Sequence, residues 1–353
     1  MKEDLALNTR ITLVCPQCKV PLSISDNEYR CQKCEQNYPV SDRLPYLLVA
    51  IDDEFKAKQK KLYEENVNET SPEQILIDRA GFSYPTTLKL AKIRKILKSA
   101  NLFPNAYVLD IGCGDGRMLN KLVAQYQIKG QGVDISSNQL KQNLRNNPFR
   151  NIFYLSDAES LPFGDNTFDF IFCSDVLEHL SSPQACINEI CRTLKKERKA
   201  LIYVISRKDK YTWHWFLRKI SGKKLGIDKG GFGDHRKENF LLPEEATAFF
   251  RAANVKVKRV IYFHSFFTLA FDEFSKYLSS SYKRSGKSAT KQPLNKEMKK
   301  KRDVSGLKVP FSVKLWSILV NILLRPLELC DRIWSQKGYS NGFFVEIEKN
   351  NNF

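Results

Sequence analysis

Four cysteines near the start of the chain have the spacing of a metal site. Cys15, Cys18, Cys31 and Cys34 form two C-x-x-C pairs that are separated by twelve residues. Each pair can sit on a tight turn with both thiolates aimed at one point, and two pairs make the closed tetrahedral set that structural zinc prefers. Four cysteine ligands leave no open position for catalysis. The spacing therefore predicts a structural Zn²⁺ in a ribbon over residues 8–50, a segment too short for a core of its own.

A second set of residues could hold a nucleoside cofactor. A glycine-rich turn follows an apolar strand, and such a turn lets backbone N–H groups approach a ligand closely. Acidic residues lie at or near the ends of three successive predicted strands: Asp110, Asp134 and Asp157. Asp134 stands where a carboxylate can accept both ribose hydroxyls, and Asp157 where it can hold an adenine amino group. A nicotinamide cofactor is the alternative, but its G-x-G-x-x-G pattern requires a third glycine where this chain has Arg117.

The apolar pattern alternates strands with helices through the middle of the chain. Strands are predicted over residues 107–111, 131–135, 152–155, 168–174, 200–206, 255–263 and 342–348. Helices are predicted over residues 86–100, 183–197 and 243–253, and directly after the glycine-rich turn. This alternation predicts an α/β fold with a mostly parallel sheet that is covered on both faces. The charged segment 52–66 is interpreted as a linker or an exposed helix within a connecting region over residues 51–85.

The motifs resemble those of class I S-adenosylmethionine-dependent methyltransferases, in particular the type 11 methyltransferase domain. The segments that carry the resemblance are VLDIGCGDG (108–116), GVDIS (132–136) and DAESLPFGDNTFDFIFCSDVLEHL (157–180). They span most of residues 105–206. The resemblance implies a Rossmann-like, seven-stranded, mostly parallel sheet with helices on both faces. This core would comprise residues 86–263 and 338–350, with the last two strands antiparallel.

The same resemblance implies a role for each matching residue. S-adenosyl-L-methionine would lie across the strand ends, and its contacts would run from methionine to adenine. They are Asp110 at the amino group, Gly112 and Gly114 as backbone room, Asp134 and Ile135 at the ribose and adenine, Asp157 and Ala158 at the adenine edge, and Ser174 and Asp175 at the border with the acceptor.

A general base is needed only if the acceptor atom begins protonated. Candidates for this role follow the fourth strand or lie in the GGFGDHRKENF loop: Glu178, His179, Asp234 and His235. A structural role is the alternative for both histidines. The remaining histidines, His214 and His264, lie among aromatic residues and are interpreted as packing or interface residues.

The cysteine-containing stretch also resembles a known module. Residues 11–49 resemble the small zinc-ribbon proteins that partner methyltransferases in the translation apparatus, including Tyr38-Pro39-Val40 and Leu44-Pro45 after the last cysteine pair. A module of this kind says little about the substrate.

The formal charge of +18 is concentrated in two stretches. Residues 283–308 carry ten Lys/Arg against two acids, and residues 207–237 carry ten against three. Basic surfaces of this kind favour a polyanionic partner, either nucleic acid or anionic lipid, although a solvated charge run is the simpler interpretation.

The predicted sixth and seventh strands are separated by a long insertion over residues 264–337. It combines aromatic segments and a basic tract with a short apolar run, Trp316–Leu324, which Asn321 interrupts and Pro326 follows. The run is too short to span a bilayer but suits a helix lying in the membrane interface. A helical lid over the cofactor pocket is the alternative, and both remain open here.

Three functions are compatible with these features. The first is methylation of a small molecule, lipid or lipid-linked glycan by a cytoplasmic enzyme that is peripheral at the inner membrane face, since neither a signal peptide nor a long apolar span is evident. The second is methylation of ribosomal or transfer RNA, which the ribbon and the charge favour. Residues 174–177 read SDVL, however, where enzymes that methylate exocyclic base nitrogens have N/D-P-P-Y/F. The third is a non-enzymatic scaffold, which the intact cofactor motifs disfavour.

Overall fold

The structure is a computed structural model that describes residues 11–25, 27–67, 88–100, 102–145, 151–222, 237–253, 255–275 and 311–351. Its strands are β1 (Leu22–Ile24), β2 (Glu28–Cys31), β3 (Asn37–Ser41), β4 (Leu44–Leu47), β5 (Tyr107–Ile111), β6 (Lys129–Asp134), β7 (Ile152–Ser156), β8 (Phe168–Ser174), β9 (Leu194–Ile205), β10 (Val255–Phe263) and β11 (Gly342–Lys349). The helices are α1 (Glu54–Glu65), α2 (Leu88–Leu97), α3 (Arg117–Tyr126), α4 (Ser137–Arg145), α5 (Pro183–Thr193), α6 (Trp213–Ile220), α7 (Pro243–Ala252), α8 (residues 267–275), α9 (Phe311–Cys330) and α10 (Arg332–Gln336).

The strands from β5 to β11 form the sheet that the sequence predicts. Their order is β7-β6-β5-β8-β9-β11-β10, and the first five are parallel. β11 lies antiparallel between β9 and β10. The predicted Rossmann-like, seven-stranded, mostly parallel sheet is therefore confirmed.

Alternate strand residues bury into two separate cores, one on each face of the sheet. In β8, Ile171 and Cys173 join one core, whereas Phe170 and Phe172 join the other. Helices α5 and α7 supply the first core with Ile187, Ile190, Ala246 and Phe250. Helices α2 and α9 supply the second with Ile93, Leu97, Val320 and Leu324. Burial on both faces explains the nearly continuous apolar runs of the central strands.

The ribbon continues the sheet rather than standing beside it. β1 to β4 form an antiparallel meander, and β4 then pairs in parallel with β7, with Tyr46 opposite Leu155 and Leu47 opposite Ser156. A sheet of eleven strands results. The cysteine spacing gave no indication of this pairing.

One local prediction requires correction, and one open alternative is resolved. The helix predicted over 183–197 ends at Thr193, because Leu194 turns into an extended conformation and begins β9, opposite Phe168. Pairing with β8 thus overrides the helical propensity of the charged residues after Leu194. The charged segment 52–66 is mostly the helix α1, whose first turn is capped by the Asp53 carboxylate accepting from the Lys56 N–H at 2.7 Å. Residues 68–87, the rest of the predicted connecting region, lie outside the described residues.

The described parts of the insertion are helical. α9 packs against α2 and the second core, and Phe271 of α8 stacks on Trp316 of α9. None of the described helices combines the length and apolarity needed to cross a bilayer. The basic tract 283–308 lies outside the described residues.

Candidate cofactor site

A cavity of about 870 Å³, including its open mouth, lies beyond the carboxyl ends of β5, β6 and β7. This is the position where ligands bind in open parallel sheets. Its lining comprises Lys56, Gln59, Tyr63, Gly112, Gly114, Val133, Asp134, Ile135, Ser136, Gln139, Ser156, Asp157, Ala158, Asp175, Val176, His179 and Leu180. Six of the eight residues proposed for the cofactor are therefore together in one cavity. Asp110 and Ser174 do not line it.

The glycine-rich turn is open because side chains are excluded from it. Gly112 has a φ of +67°, and a Cβ there would lie 2.4 Å from Cγ2 of Val176. Gly114 has a φ of +48°, and a Cβ there would meet no atom within 4 Å, so only the absence of a side chain keeps that space free. The turn thus forms a bare backbone wall for a ligand.

Asp134 is fixed by backbone donors on both of its oxygens. Oδ2 accepts from the Gly114 N–H at 2.8 Å and Oδ1 accepts from the Ser136 N–H at 2.9 Å. These bonds couple the carboxylate to the glycine turn. Burial raises the pKa of Asp134 despite them. Each carboxylate oxygen retains a further lone pair, which is what two ribose hydroxyls would require.

Asp110 lies directly behind the glycine turn. It is buried, and its Oδ2 has no hydrogen-bond partner among the described residues. Burial, followed by the nearby carboxylate of Asp134, raises its pKa well above the ordinary value. A buried polar atom without a partner is uncommon and fits a site that a bound amino group or water completes.

Helix α1 forms a wall of the cavity that the sequence analysis missed. Lys56 Nζ donates to Asp157 Oδ2 at 2.5 Å and to Glu159 Oε2 at 2.8 Å. Asp157 is therefore paired with a lysine from α1. The helix is also held at its end, where the Ser137 N–H donates to the carboxylate of Glu64 at 2.8 Å. Asp53 at the N-cap was the available signal for an ordered helix.

Tyr63 and His179 meet across the cavity. The Tyr63 hydroxyl is 2.9 Å from His179 Nε2, and the two rings are perpendicular with centroids 5.4 Å apart. His179 is thus held in a defined orientation by a residue from α1. The structure brings this base candidate to the cavity.

Of the other base candidates, Glu178 is described by the structure and does not line the cavity. Glu178 is buried, its Oε2 has no hydrogen-bond partner among the described residues, and burial together with the Asp175 carboxylate raises its pKa to about 8. His235 and Asp234 lie outside the described residues.

The mouth of the cavity is joined to the insertion by a network of side-chain contacts that is exposed at Asp175 and buried at His264 and Asp272. Lys89 Nζ bonds Asp175 Oδ2 at 2.5 Å and lies 3.4 Å from the centroid of the Tyr203 ring. The Tyr203 hydroxyl is 3.2 Å from His264 Nδ1, and His264 Nε2 is 2.7 Å from Asp272 Oδ2. The second oxygen of Asp272 accepts from the Leu88 N–H at 2.7 Å, beside Lys89 at the start of α2.

This network changes the interpretation of His264. The histidine is buried as expected, but its two ring nitrogens connect β9 to α8 rather than serving only as packing. Ser174, expected at the border with the acceptor, donates its hydroxyl to Asp175 Oδ2 at 2.8 Å. Asp175 is therefore the network residue that reaches the cavity. His214 is also buried, at 3.8 Å from a carboxylate oxygen of Glu273, as its predicted packing role requires.

The four ribbon cysteines converge as their spacing predicts. All four Sγ atoms lie within 4.8 Å of one another, and those of Cys15 and Cys34 are 3.7 Å apart. Four thiolates about 2.3 Å from a tetrahedral zinc ion would be about 3.8 Å apart, so the set fits this metal. Lys19 and Glu35, each directly after a cysteine pair, have φ values of +58° and +59°, which gives both turns the same shape.

The ribbon also contacts the loop after β7, which contains Asp157. Ser160 donates its hydroxyl to the Pro16 carbonyl at 2.6 Å, and the Val14 N–H donates to the Pro162 carbonyl at 3.0 Å. Lys19 bonds Glu189 at 2.7 Å. The side of the cavity that contains Asp157 is thus supported by the ribbon and by α1.

Residues 109–202 match the family model described as "Methyltransferase domain". This part of the chain is therefore similar to a methyltransferase domain. The resemblance to class I methyltransferases found in the sequence is confirmed, and the matched residues include the glycine turn, Asp134 and Asp157.

Several curated proteins are similar to part of the chain. A demethylmenaquinone methyltransferase of Lactiplantibacillus plantarum is 30% identical over 138 residues, which is 36% of this chain and 58% of that protein. A ubiquinone biosynthesis O-methyltransferase of Pseudomonas fluorescens is 29% identical, over 44% of this chain and 66% of that protein. Phosphoethanolamine N-methyltransferase 2 of Caenorhabditis elegans is 28% identical, over 41% and 37%. The chain thus spans between about a third and two thirds of these relatives.

The similar solved structures share less sequence identity with this chain than the curated relatives do. A Haemonchus contortus phosphoethanolamine N-methyltransferase 2 complex matches with a TM-score of 0.46 and 18% identity, over 74% of this chain and 53% of that one. A complex of a Haloferax volcanii methyltransferase activator with a putative methyltransferase matches with a TM-score of 0.44 and 13% identity, over 74% and 89%. At these scores the matches add nothing to the assignment of function.

Proposed function

We propose that the protein is an S-adenosylmethionine-dependent methyltransferase. The observation that carries the proposal is the single cavity that gathers Gly112, Gly114, Asp134, Ile135, Asp157 and Ala158. The Oδ2 atom of Asp110, which has no hydrogen-bond partner among the described residues, fits the amino group of such a cofactor. The open space beside Gly114 leaves room for the rest of the ligand, including its ribose. The matched methyltransferase domain supports the same reaction.

In this proposal, some residues around the cavity bind the cofactor and others align the acceptor. The bound cofactor supplies a methyl group on a sulfonium, and the chemistry beyond that is largely positioning of the acceptor. Asp134 holds the ribose, and Asp157 with Ile135 holds the adenine. His179 takes the acceptor's proton where the acceptor atom carries one, with its ring oriented by Tyr63. Asp175, kept anionic by Lys89, orients the acceptor at the mouth.

The acceptor in this proposal is a small molecule, a lipid or a lipid-linked glycan, taken up at the cytoplasmic membrane face. The names of the relatives support this class, since they act on demethylmenaquinone, in ubiquinone biosynthesis and on phosphoethanolamine. The cavity lining also offers apolar side chains from Val133, Val176 and Leu180.

RNA methylation is the second candidate. The ribbon and the charge of +18 favour it, because phosphate contacts by Lys and Arg dominate RNA affinity. Residues 174–177, with the sequence SDVL, form the end of β8 and the turn after it. The tetrapeptide N/D-P-P-Y/F of enzymes that methylate exocyclic base nitrogens therefore has no counterpart at this position.

The ribbon in this proposal holds one structural Zn²⁺. The support is the convergence of four thiol sulfurs at distances that suit a tetrahedral ion. Its role is to stabilise β1 to β4 and, through their contacts, the loop that contains Asp157.

Transfer of radioactive methyl groups tests the reaction and the acceptor together. Purified protein is incubated with methyl-tritiated S-adenosylmethionine and, separately, with the lipid, metabolite and RNA fractions of its source cells. We expect label in the lipid or metabolite fraction, and much less label with Asp134→Asn at a subsaturating concentration of the cofactor. Label in RNA would establish the second candidate instead. Cofactor binding without transfer to any fraction would favour the scaffold.

A further inference from the structure

The outer face of the insertion carries a continuous apolar stripe. Six large side chains of α9 and α10 are between 54% and 78% exposed: Phe311, Leu315, Ile318, Ile322, Leu329 and Ile333. They follow one another at steps of three, four or seven residues, the spacing that places side chains on one face of a helix. The opposite face of α9 is already buried, through Val320 and Leu324. The stripe is therefore not part of the core.

The charges beside the stripe have one sign. Lys314, Arg325, Arg332 and Lys337 are exposed. The two acids of these helices are turned inward: Glu328 pairs with Lys92, and Asp331 accepts from the backbone N–H groups of Phe266, Phe267 and Thr268. A surface that is apolar along its centre and cationic along its edge results.

Aromatic rings extend the same side of the molecule. Trp334 stacks on Phe266 and meets the exposed Phe267 edge-on, with centroids 6.0 and 5.9 Å apart. Aromatic rings with a polar edge favour the interfacial layer of a membrane.

We infer that this stripe is a docking surface for an anionic lipid bilayer, with α9 lying in the plane of the interface. A membrane accepts the apolar side chains and its anionic headgroups pair with the flanking cations. A second copy of this chain suits the surface poorly, because the cations of both copies would meet. An RNA backbone would match the cations but would leave the apolar stripe in water. The inference rests on the proposed function only in supplying a reason for docking, namely an acceptor that enters from the lipid phase.

Binding to vesicles tests the surface without any acceptor. The full chain is sedimented with vesicles of phosphatidylcholine alone and of phosphatidylcholine mixed with phosphatidylglycerol. We expect binding to the anionic vesicles, and a reduction of the partition coefficient by about tenfold or more in the Ile318→Ser, Ile322→Ser double variant, since two apolar side chains are removed from the interface. Ile24→Ser is the matched control, because Ile24 is 59% exposed but lies in the ribbon. It should bind as the wild type does.

A second variant separates the electrostatic contribution. Arg325→Glu with Arg332→Glu leaves the stripe intact and should abolish the preference for anionic vesicles. Absence of vesicle binding by the wild type would overturn the inference, as would equal binding by the serine variant. So would light scattering that shows a wild-type dimer and a monomeric serine variant, or RNA that copurifies with the wild type and is lost from the serine variant. Calorimetry with S-adenosylmethionine, run on the same samples, reports on the proposed function separately.

Discussion

The two ends of the cavity are built in different ways. At the cofactor end, the backbone N–H of Gly114 donates to the side-chain carboxylate of Asp134 across 20 residues of sequence. At the acceptor end, Asp175 is held by side chains from distant parts of the chain, in a network that reaches Asp272 in the insertion. The difference indicates that the cofactor end is fixed by bonds between neighbouring strand ends, whereas the acceptor end depends on side chains from distant parts of the chain.

The largest expected effect concerns the ribbon that supports the cofactor end. Cys31→Ser with Cys34→Ser should remove one equivalent of zinc and unfold the ribbon, because metal binding supplies much of the folding free energy of such small modules. Metal analysis and thermal unfolding measure both effects. Cys330→Ser, at an exposed cysteine outside the ribbon, is the control and should keep the zinc and the melting temperature. If neither the wild type nor the Cys330→Ser control contains zinc, the ribbon does not hold a structural Zn²⁺.

The next effect is on cofactor affinity. Asp134→Asn keeps the size of the side chain but removes its charge, so charge-assisted bonds to the ribose are lost and affinity for S-adenosylmethionine should fall by about ten- to a hundredfold. Calorimetry gives the dissociation constant. Asp42→Asn, at an exposed turn of the ribbon, should leave it unchanged. Equal affinity of the two variants would show that Asp134 does not bind the ribose.

The substitution Tyr63→Phe tests the contact between α1 and His179 in the cavity. It removes the hydroxyl that orients His179 and should lower the transfer rate by about tenfold, which is less than the roughly hundredfold or larger contribution of a positioned acid–base group itself. Affinity for the cofactor should change little, because the ring remains. Tyr126→Phe on α3 is the control. A loss of affinity equal to the loss of rate would show that Tyr63 acts in binding alone.

Asp272→Asn examines the acceptor end. The amide can still accept from the Leu88 N–H but no longer carries the charge beside His264, so we expect a several-fold loss in transfer to the acceptor fraction at unchanged cofactor affinity. Glu273→Gln, the neighbouring acid of α8, serves as the control. A parallel loss of cofactor affinity would mean that the two ends are not separate.

The smallest effect is on the pH dependence of stability. Burial raises the pKa of Glu178 from 4.5 to about 8, so the folded protein keeps a proton there that the unfolded chain releases. The stability from the neutral acid is complete below pH 4.5 and is lost as the pH rises through about 8. Glu178→Gln should remove this slope in urea unfolding. Glu189→Gln should not, because Arg192 and Lys19 hold that pKa below its ordinary value against the effect of burial. An unchanged slope in Glu178→Gln would contradict the raised pKa.

Sequence patterns predicted the residues that local structure places in the cavity and missed those that long-range contacts place there. The glycine turn, Asp134 and Asp157 were found because a local pattern of strand, turn and carboxylate specifies them. Lys56 and Tyr63 were missed because α1 meets the cavity only through tertiary contacts. The link from Leu88 to Asp272 spans 184 positions, and no periodicity records it.

The sheet shows the same contrast between local patterns and long-range contacts. The seven strands of the core have the apolar runs that burial on two faces requires, so they were predicted. The pairing of β4 with β7 and the extended residues after Leu194 depend on a neighbouring strand rather than on their own residues.

The central claim is that one cavity binds S-adenosylmethionine at the ends of β5, β6 and β7. A crystal structure of the complex with S-adenosylhomocysteine tests it most directly. The account predicts ribose hydroxyls on Asp134, adenine against Ile135 beside Asp157, and the amino group near Asp110. A nucleoside bound elsewhere, or no nucleoside in crystals grown with a saturating concentration, would contradict it.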